Sequence, residues 1–137
     1  MIYYCRLNPE DSGYVVEFPD VTNAITEGDS IEEALAMAWE ALNGVLESDI
    51  AHGWPLPEFR TGPGEGLYPV EVEQHILIAW ELRRLRGDRP QSEIAARLGL
   101  SYQAYQRLEN PGKANPTIKT LERVARAFGK RLEIQLV

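Results

Sequence analysis

The stretch Gln91–Asn110, QSEIAARLGLSYQAYQRLEN, constrains this chain more than any other. Ile94, Ala95 and Leu98 recur at helical spacing and give Gln91–Leu98 one apolar face. Gly99 follows directly, where a helix closes on a left-handed residue that glycine adopts at little cost. Ser101 is an N-cap for a second helix, whose buried stripe is Tyr105 and Leu108. Ala95 is small enough to let the two helices cross closely. Together these features predict a helix-turn-helix, the arrangement that lays its second helix in a DNA major groove. Tyr102, Gln103, Gln106 and Arg107 are left facing outward. Glutamine pairs two-pronged with adenine, and arginine with guanine or a phosphate. A helical pair with a purely structural role is the competing reading. The joint spacing of glutamine, alanine, glycine and leucine favours DNA.

This stretch and its flanks, Val72 to Gly129, resemble the Cro- and repressor-like helix-turn-helix family. The resemblance implies that Gln91 touches the DNA backbone and orients the recognition helix. It places the early recognition-helix contacts on Tyr102 and Gln103, beside the capping Ser101, and a later one on Arg107, with Gln106 on the same exposed side. Lys113, in the following loop, is expected on a phosphate. The sequence departs from the family pattern twice. Tyr105 stands where a smaller branched residue is usual, and the turn Glu109-Asn110-Pro111-Gly112-Lys113 is one residue longer than the usual Glu-Asn-Gly-Lys.

The 137 residues, 44% apolar, suffice for one domain or two small ones. No apolar run approaches the ~20 residues that span a bilayer. The start, MIYYCRLNPEDSG, lacks the basic and apolar regions of a signal peptide. The lone Cys5 fits a buried strand residue in a reducing cytoplasm. One cysteine with the distant His52 and His75 makes no metal site, and no cofactor is expected. The net charge of −7 is unevenly divided. Residues 1–70 carry two basic against thirteen acidic side chains, −11 in all, whereas residues 71–137 carry twelve basic against eight acidic, +4. Two surfaces with different partners are implied.

Tyr3, Cys5 and Leu7 alternate in a first strand, and Tyr14, Val16 and Phe18 in a second, joined by the turn Pro9–Gly13. Thr22–Glu27 is a third. Ser30-Ile31-Glu32-Glu33 is a capping box opening a helix to Ile50, with Ile31, Leu35, Ala38, Leu42, Val45 and Leu46 as its buried face and Trp39 at the border of the core. Gly53–Pro69, with four prolines and four glycines, reads as a loop, after which Leu67–Val72 supplies a further strand. Ile76, Leu77, Trp80 and Leu85 mark a helix over Glu73–Arg86 that packs under the helix-turn-helix. Thr117 caps a last helix bearing Ile118, Leu121, Val124, Ala125 and Phe128, closed by Gly129. Leu132, Ile134 and Leu136 then alternate as a strand that must pair with something, a second copy across a two-fold axis being one solution. The expected fold is α+β. A small βββαβ domain over 1–70, with its Pro/Gly-rich loop at 53–69, precedes an all-α helix-turn-helix domain over 71–137 that ends in a C-terminal β-strand.

Glu10, Asp11, Glu17, Asp20, Glu27 and Asp29 crowd the front strands and turns. Clustered carboxylates hold Mg²⁺ in metal-dependent nucleases. Each of these has a local reason to be exposed, and no nucleophile–base pair, phosphate-binding glycine loop or histidine dyad accompanies them. No catalytic residue and no enzyme are expected.

The succession Phe18-Pro19-Asp20, Thr26-Glu27-Gly28 and Ser30-Ile31-Glu32-Glu33-Ala34 resembles the HicB antitoxin family. So does the rear segment Asn115–Glu122, followed by Gly129-Lys130-Arg131-Leu132-Glu133-Ile134. The resemblance spans nearly the whole chain in the same order. It implies a degenerate ribonuclease-H-like front domain that binds and blocks a HicA toxin, a small basic ribonuclease cleaving messenger RNA. It also implies a rear domain that binds operator DNA of its own operon as a homodimer or tetramer, in the cytoplasm and without membrane association. Asp20 and Glu27, by their place in the motifs, are the candidate toxin contacts. Two other readings stay open: a stand-alone repressor whose front domain binds a ligand or oligomerises, and a metal-dependent ribonuclease using the front carboxylates.

Overall fold

Alternation along the first strand sets the layers of the front half. The computed structural model describes residues 1–137 and divides into two compact units, Met1–Ile76 and Leu77–Val137. In the first, β1 (Ile2–Glu10), β2 (Gly13–Phe18), β3 (Val21–Gly28) and β4 (Leu67–Glu71) form a four-stranded antiparallel sheet in the order β3-β2-β1-β4. The expected α+β class is observed. Tyr3 and Cys5 of β1, Val16 and Phe18 of β2, and Val70 of β4 are buried. Pro9 falls within β1, beyond the Ile2–Arg6 segment that pairs with β4, so its missing N–H leaves no ladder bond unmade on that side.

The helix α1 (Ile31–Ala51) lies against this sheet, chiefly on β3. Ser30 caps it, its Oγ accepting the Glu33 N–H at 3.1 Å. Ala34, Ala38, Leu42, Leu46 and Ile50 are buried at four-residue spacing. A Cβ on Gly28 would sit 2.4 Å from the Ala34 nitrogen, so glycine there lets β3 and α1 touch backbone to backbone. The buried stripe differs from expectation at its edges: Ile31 is exposed, Leu35 and Val45 half-buried, and Trp39 46% exposed. The small alanines bring the helix so close that bulkier side chains are left on its flanks. Asn43 takes an inward place instead. Its amide nitrogen donates to the carbonyls of Trp39 and Glu71, both at 3.0 Å, and its oxygen accepts the Glu73 N–H at 2.8 Å, so a buried polar group is fully satisfied.

The segment after α1 has neither helix nor strand up to Leu67, as expected, yet it is pinned. Asp20, between β2 and β3, accepts the N–H groups of Arg60 (2.9 Å) and Thr61 (2.8 Å) on one oxygen and the Thr61 hydroxyl (2.9 Å) on the other. The Tyr3 hydroxyl donates to the Pro57 carbonyl at 2.6 Å, and its ring stacks on Phe59 at 4.1 Å.

The helix α2 (Gln74–Arg86) leads into the second unit, which contains α3 (Gln91–Leu98), α4 (Tyr102–Leu108) and α5 (Ile118–Ala127). Leu82, Ile94, Ala95, Leu98, Tyr105, Leu108 and Val124 form its core, with Ile78 and Phe128 packed alongside. From α2 it is thus Leu82 and Ile78, not Ile76, Leu77, Trp80 and Leu85, that enter this core. Four residues apart, they share one side of the helix. Lys130–Val137 forms no strand here, a departure from the expected terminal β-strand. No strand within this unit offers a ladder, and Ile134 (58%) and Leu136 (98%) are exposed. No helix is long and apolar enough to cross a membrane.

Candidate nucleic-acid interface

The recognition helix is positioned by two short-range devices and one long-range one. Gly99 adopts φ 66°, and the Leu100 and Gly99 N–H groups return to the carbonyls of Ala95 (2.9 Å) and Ala96 (3.2 Å), the paired bonds of a Schellman stop. Two residues later Ser101 caps α4, its Oγ accepting the Ala104 N–H at 3.1 Å. Ala95 is buried between the two helices, as its size implied.

The long-range device is ionic. Glu109 closes α4 with only 1% of its side chain exposed and accepts from Arg86 twice, Nε at 2.6 Å and Nη2 at 2.8 Å. Gln91 Nε2 adds a third bond at 3.1 Å, and Arg83 Nε donates to the Glu109 carbonyl at 3.3 Å. The ends of α2 and α4 and the start of α3 therefore meet on one carboxylate. Burial raises the pKa of Glu109, but the hydrogen bonds from Arg86, helped by Gln91, prevail and hold it below the usual carboxyl range. The same bonds, against the opposing effect of burial, hold Arg86 above its ordinary value. The Tyr105 hydroxyl is buried beside this centre without a well-formed hydrogen bond. Burial, then the neighbouring carboxylate, push its pKa upward.

The residues singled out for DNA fall into two groups. Tyr102, Gln103, Gln106 and Arg107 stand exposed on α4, and Lys113 is exposed on the loop that follows. Ser101 is exposed, with its hydroxyl already engaged as the cap. Gln91 is half-buried and tied to Glu109, so its amide is oriented by the protein itself. The longer turn is accommodated by burying Pro111 and folding Asn110 back, its side-chain oxygen accepting the Gly112 N–H at 3.1 Å. Glu109 was not singled out as a functional residue by sequence. An acidic residue ending an amphipathic helix looks like ordinary surface until the arginines of α2 are brought to it.

Comparison with known proteins accords with this geometry. A helix-turn-helix family model matches residues 81–135. Antitoxin HicB 1 of Photorhabdus laumondii subsp. laumondii is 33% identical over 99% of this chain and 87% of its own length. The chain belongs to the HicB antitoxin family. Antitoxin HicB of Escherichia coli (strain K12) is 29% identical over the full length of both chains. The plasmid copy control protein CopR of Streptococcus agalactiae is 34% identical over 56 residues, 41% of this chain.

Within this HicB-family chain the two front-domain candidates have different surroundings. The carboxylate of Asp20 is consumed by Arg60 and Thr61. Burial raises its pKa, and those backbone and hydroxyl donors, aided by the Arg60 charge, more than reverse the effect. Glu27 is exposed on β3, free of ion pairs. No group of three or more histidine, cysteine, aspartate or glutamate side chains is arranged to hold a metal ion.

Proposed function

We propose that this chain is the antitoxin and autorepressor of a toxin–antitoxin operon. Its first unit binds a HicA-type toxin and blocks messenger-RNA cleavage. Its second unit, as a homodimer, reads a palindromic operator with paired α4 helices about one helical turn apart. The observation that carries the reading is the likeness to HicB antitoxins along the whole chain, in a protein whose acidic and basic charges are segregated between the two units. Opposite charge on toxin and antitoxin speeds encounter and rejects wrong partners more than it sets affinity.

The test is to combine the purified protein with the HicA-type toxin of the same operon and follow RNA cleavage. Stoichiometric inhibition is expected, together with retardation of the operon's own promoter DNA. Gln103→Ala should weaken operator binding by about 1–3 kcal/mol and relax preference at one base pair. Lys113→Ala should weaken all sequences alike and flatten the salt dependence. The likeness to CopR, over 41% of this chain, keeps a stand-alone repressor as the second reading. Promoter binding without any effect on the toxin would favour it.

A further inference from the structure

The first unit's sheet is covered by α1 on one face only. Tyr3, Cys5, Val16, Phe18 and Val70 are buried on that face, so their neighbours along each strand point the other way. The strand register there aligns Asn8, Val15 and Glu27 in one row and Arg6, Glu17 and Ile25 in the next, with Tyr4 beside Pro69. The solvated face of an antiparallel sheet is ordinarily polar. This one carries Tyr4, Val15 and Ile25 across its middle, and Ile25 is 64% exposed. Glu17 stands between Arg6 and Ile25, Glu27 beside Val15 and Glu71 opposite Ile2, none in an ion pair, with Glu17 accepting one amide hydrogen bond from Asn8 at 2.9 Å.

We propose that this open sheet face is the surface that docks the toxin, through a partner patch that is basic around an apolar centre. The inference rests on the antitoxin reading and adds the location. A second copy of the chain is the poorer occupant. A two-fold contact packs a patch against itself, and here it would set carboxylates against carboxylates, with Arg6 as the one cation of the face. A basic protein neutralises the same carboxylates and covers the same apolar side chains. The solvated side of α1, which carries Glu40 and Glu47, is acidic too and serves as the control surface.

The experiment titrates the full chain with catalytically inactive HicA-type toxin in a calorimeter. The variants are Glu17→Lys/Glu27→Lys and Ile25→Asp on the sheet, and Glu40→Lys/Glu47→Lys on the helix. Affinity is expected to fall at least a hundredfold for the charge reversal on the sheet and at least tenfold for Ile25→Asp. The helix variant should stay within about threefold of the parent, and all should still retard promoter DNA. Carboxylate footprinting of the unaltered complex supplies a readout that needs no substitution: Glu17 and Glu27 become shielded while Glu40 and Glu47 do not. If the parent protein binds no toxin, the antitoxin reading itself falls. If the parent binds and the sheet variants match it, or if Glu40 and Glu47 are the shielded pair, the antitoxin reading stands and the assignment of this face is overturned.

Discussion

Glu109 concentrates the electrostatics of the helix-turn-helix in one carboxylate. With the Arg86 side chain 20% exposed and Glu109 at 1%, this is a nearly dry pair, and removing one member strands the other charge. Glu109→Ala is expected to destabilise the helical unit by about 3 kcal/mol, the lower end for a broken buried pair because Arg86 keeps some solvent. Denaturant unfolding of variant and parent checks it. The pH dependence has a definite sign. Because the folded-state pKa of Glu109 is depressed, its contribution is complete above the unfolded value of about 4.3 and is lost as pH falls through the folded one. Between neutral pH and 5 the stability difference between parent and Glu109→Gln should therefore stay flat, shrinking only at lower pH. Tyr105 gives the opposite kind of prediction. Its buried hydroxyl has no well-formed partner, so Tyr105→Phe should cost less than about 1 kcal/mol or stabilise. A loss clearly above that would mean the hydroxyl is bonded to Glu109 after all.

At the level of elements, the Pro/Gly-rich stretch is held by Asp20 as a latch. Three donors on one carboxylate bridge about forty residues of sequence and fix Arg60 and Thr61 to the β2–β3 turn. Asp20→Ala is expected to cost about 1–2 kcal/mol and to open this stretch to protease between Phe59 and Gly66, with α1 and the sheet intact. Unaltered cleavage kinetics would show that the Tyr3 contacts suffice. The latch also shows where sequence reading stops. Strands β1 to β3, the Ser30 cap, the Gly99 stop and the Ser101 cap were legible because each is written in neighbours within four residues or in a simple period. Asp20 with Thr61, Asn43 with Glu71, and Arg86 with Glu109 were not, since nothing local marks which distant backbone group a carboxylate or amide will meet. Trp39 and Ile31 were misplaced for a related reason: apolar character alone does not say which side of a broad stripe the small alanines bring to the sheet. The exposed side of α4 was legible because the turn before it fixes which side is buried; the internal tether on Gln91 was not.

For the whole molecule, the tail after Lys130 poses the remaining structural question. Its sequence alternates like a strand, yet within one chain it pairs with nothing and leaves Ile134, Leu136 and Val137 exposed. Beside it, Ile78, Leu82, Leu85 and Leu121 line an open groove of about 380 Å³, together with Glu81, Lys130, Arg131 and the tail's own Leu132 and Glu133. We propose that this tail pairs with that of a second copy across a two-fold axis, each copy supplying both the segment and the surface that receives it. Paired recognition helices on a palindrome require such a dimer. Deleting residues 132–137 should leave α2 to α5 folded, since none of the deleted side chains is buried in their core. It is expected to convert the protein to a lower oligomeric state by light scattering. The palindrome should then be bound with the affinity of an isolated half-site, because the second helix is no longer delivered at the effective concentration a dimer provides. A truncated protein that kept both its parent oligomeric state and its preference for the full palindrome would move the dimer contact elsewhere and leave the tail without a role in it.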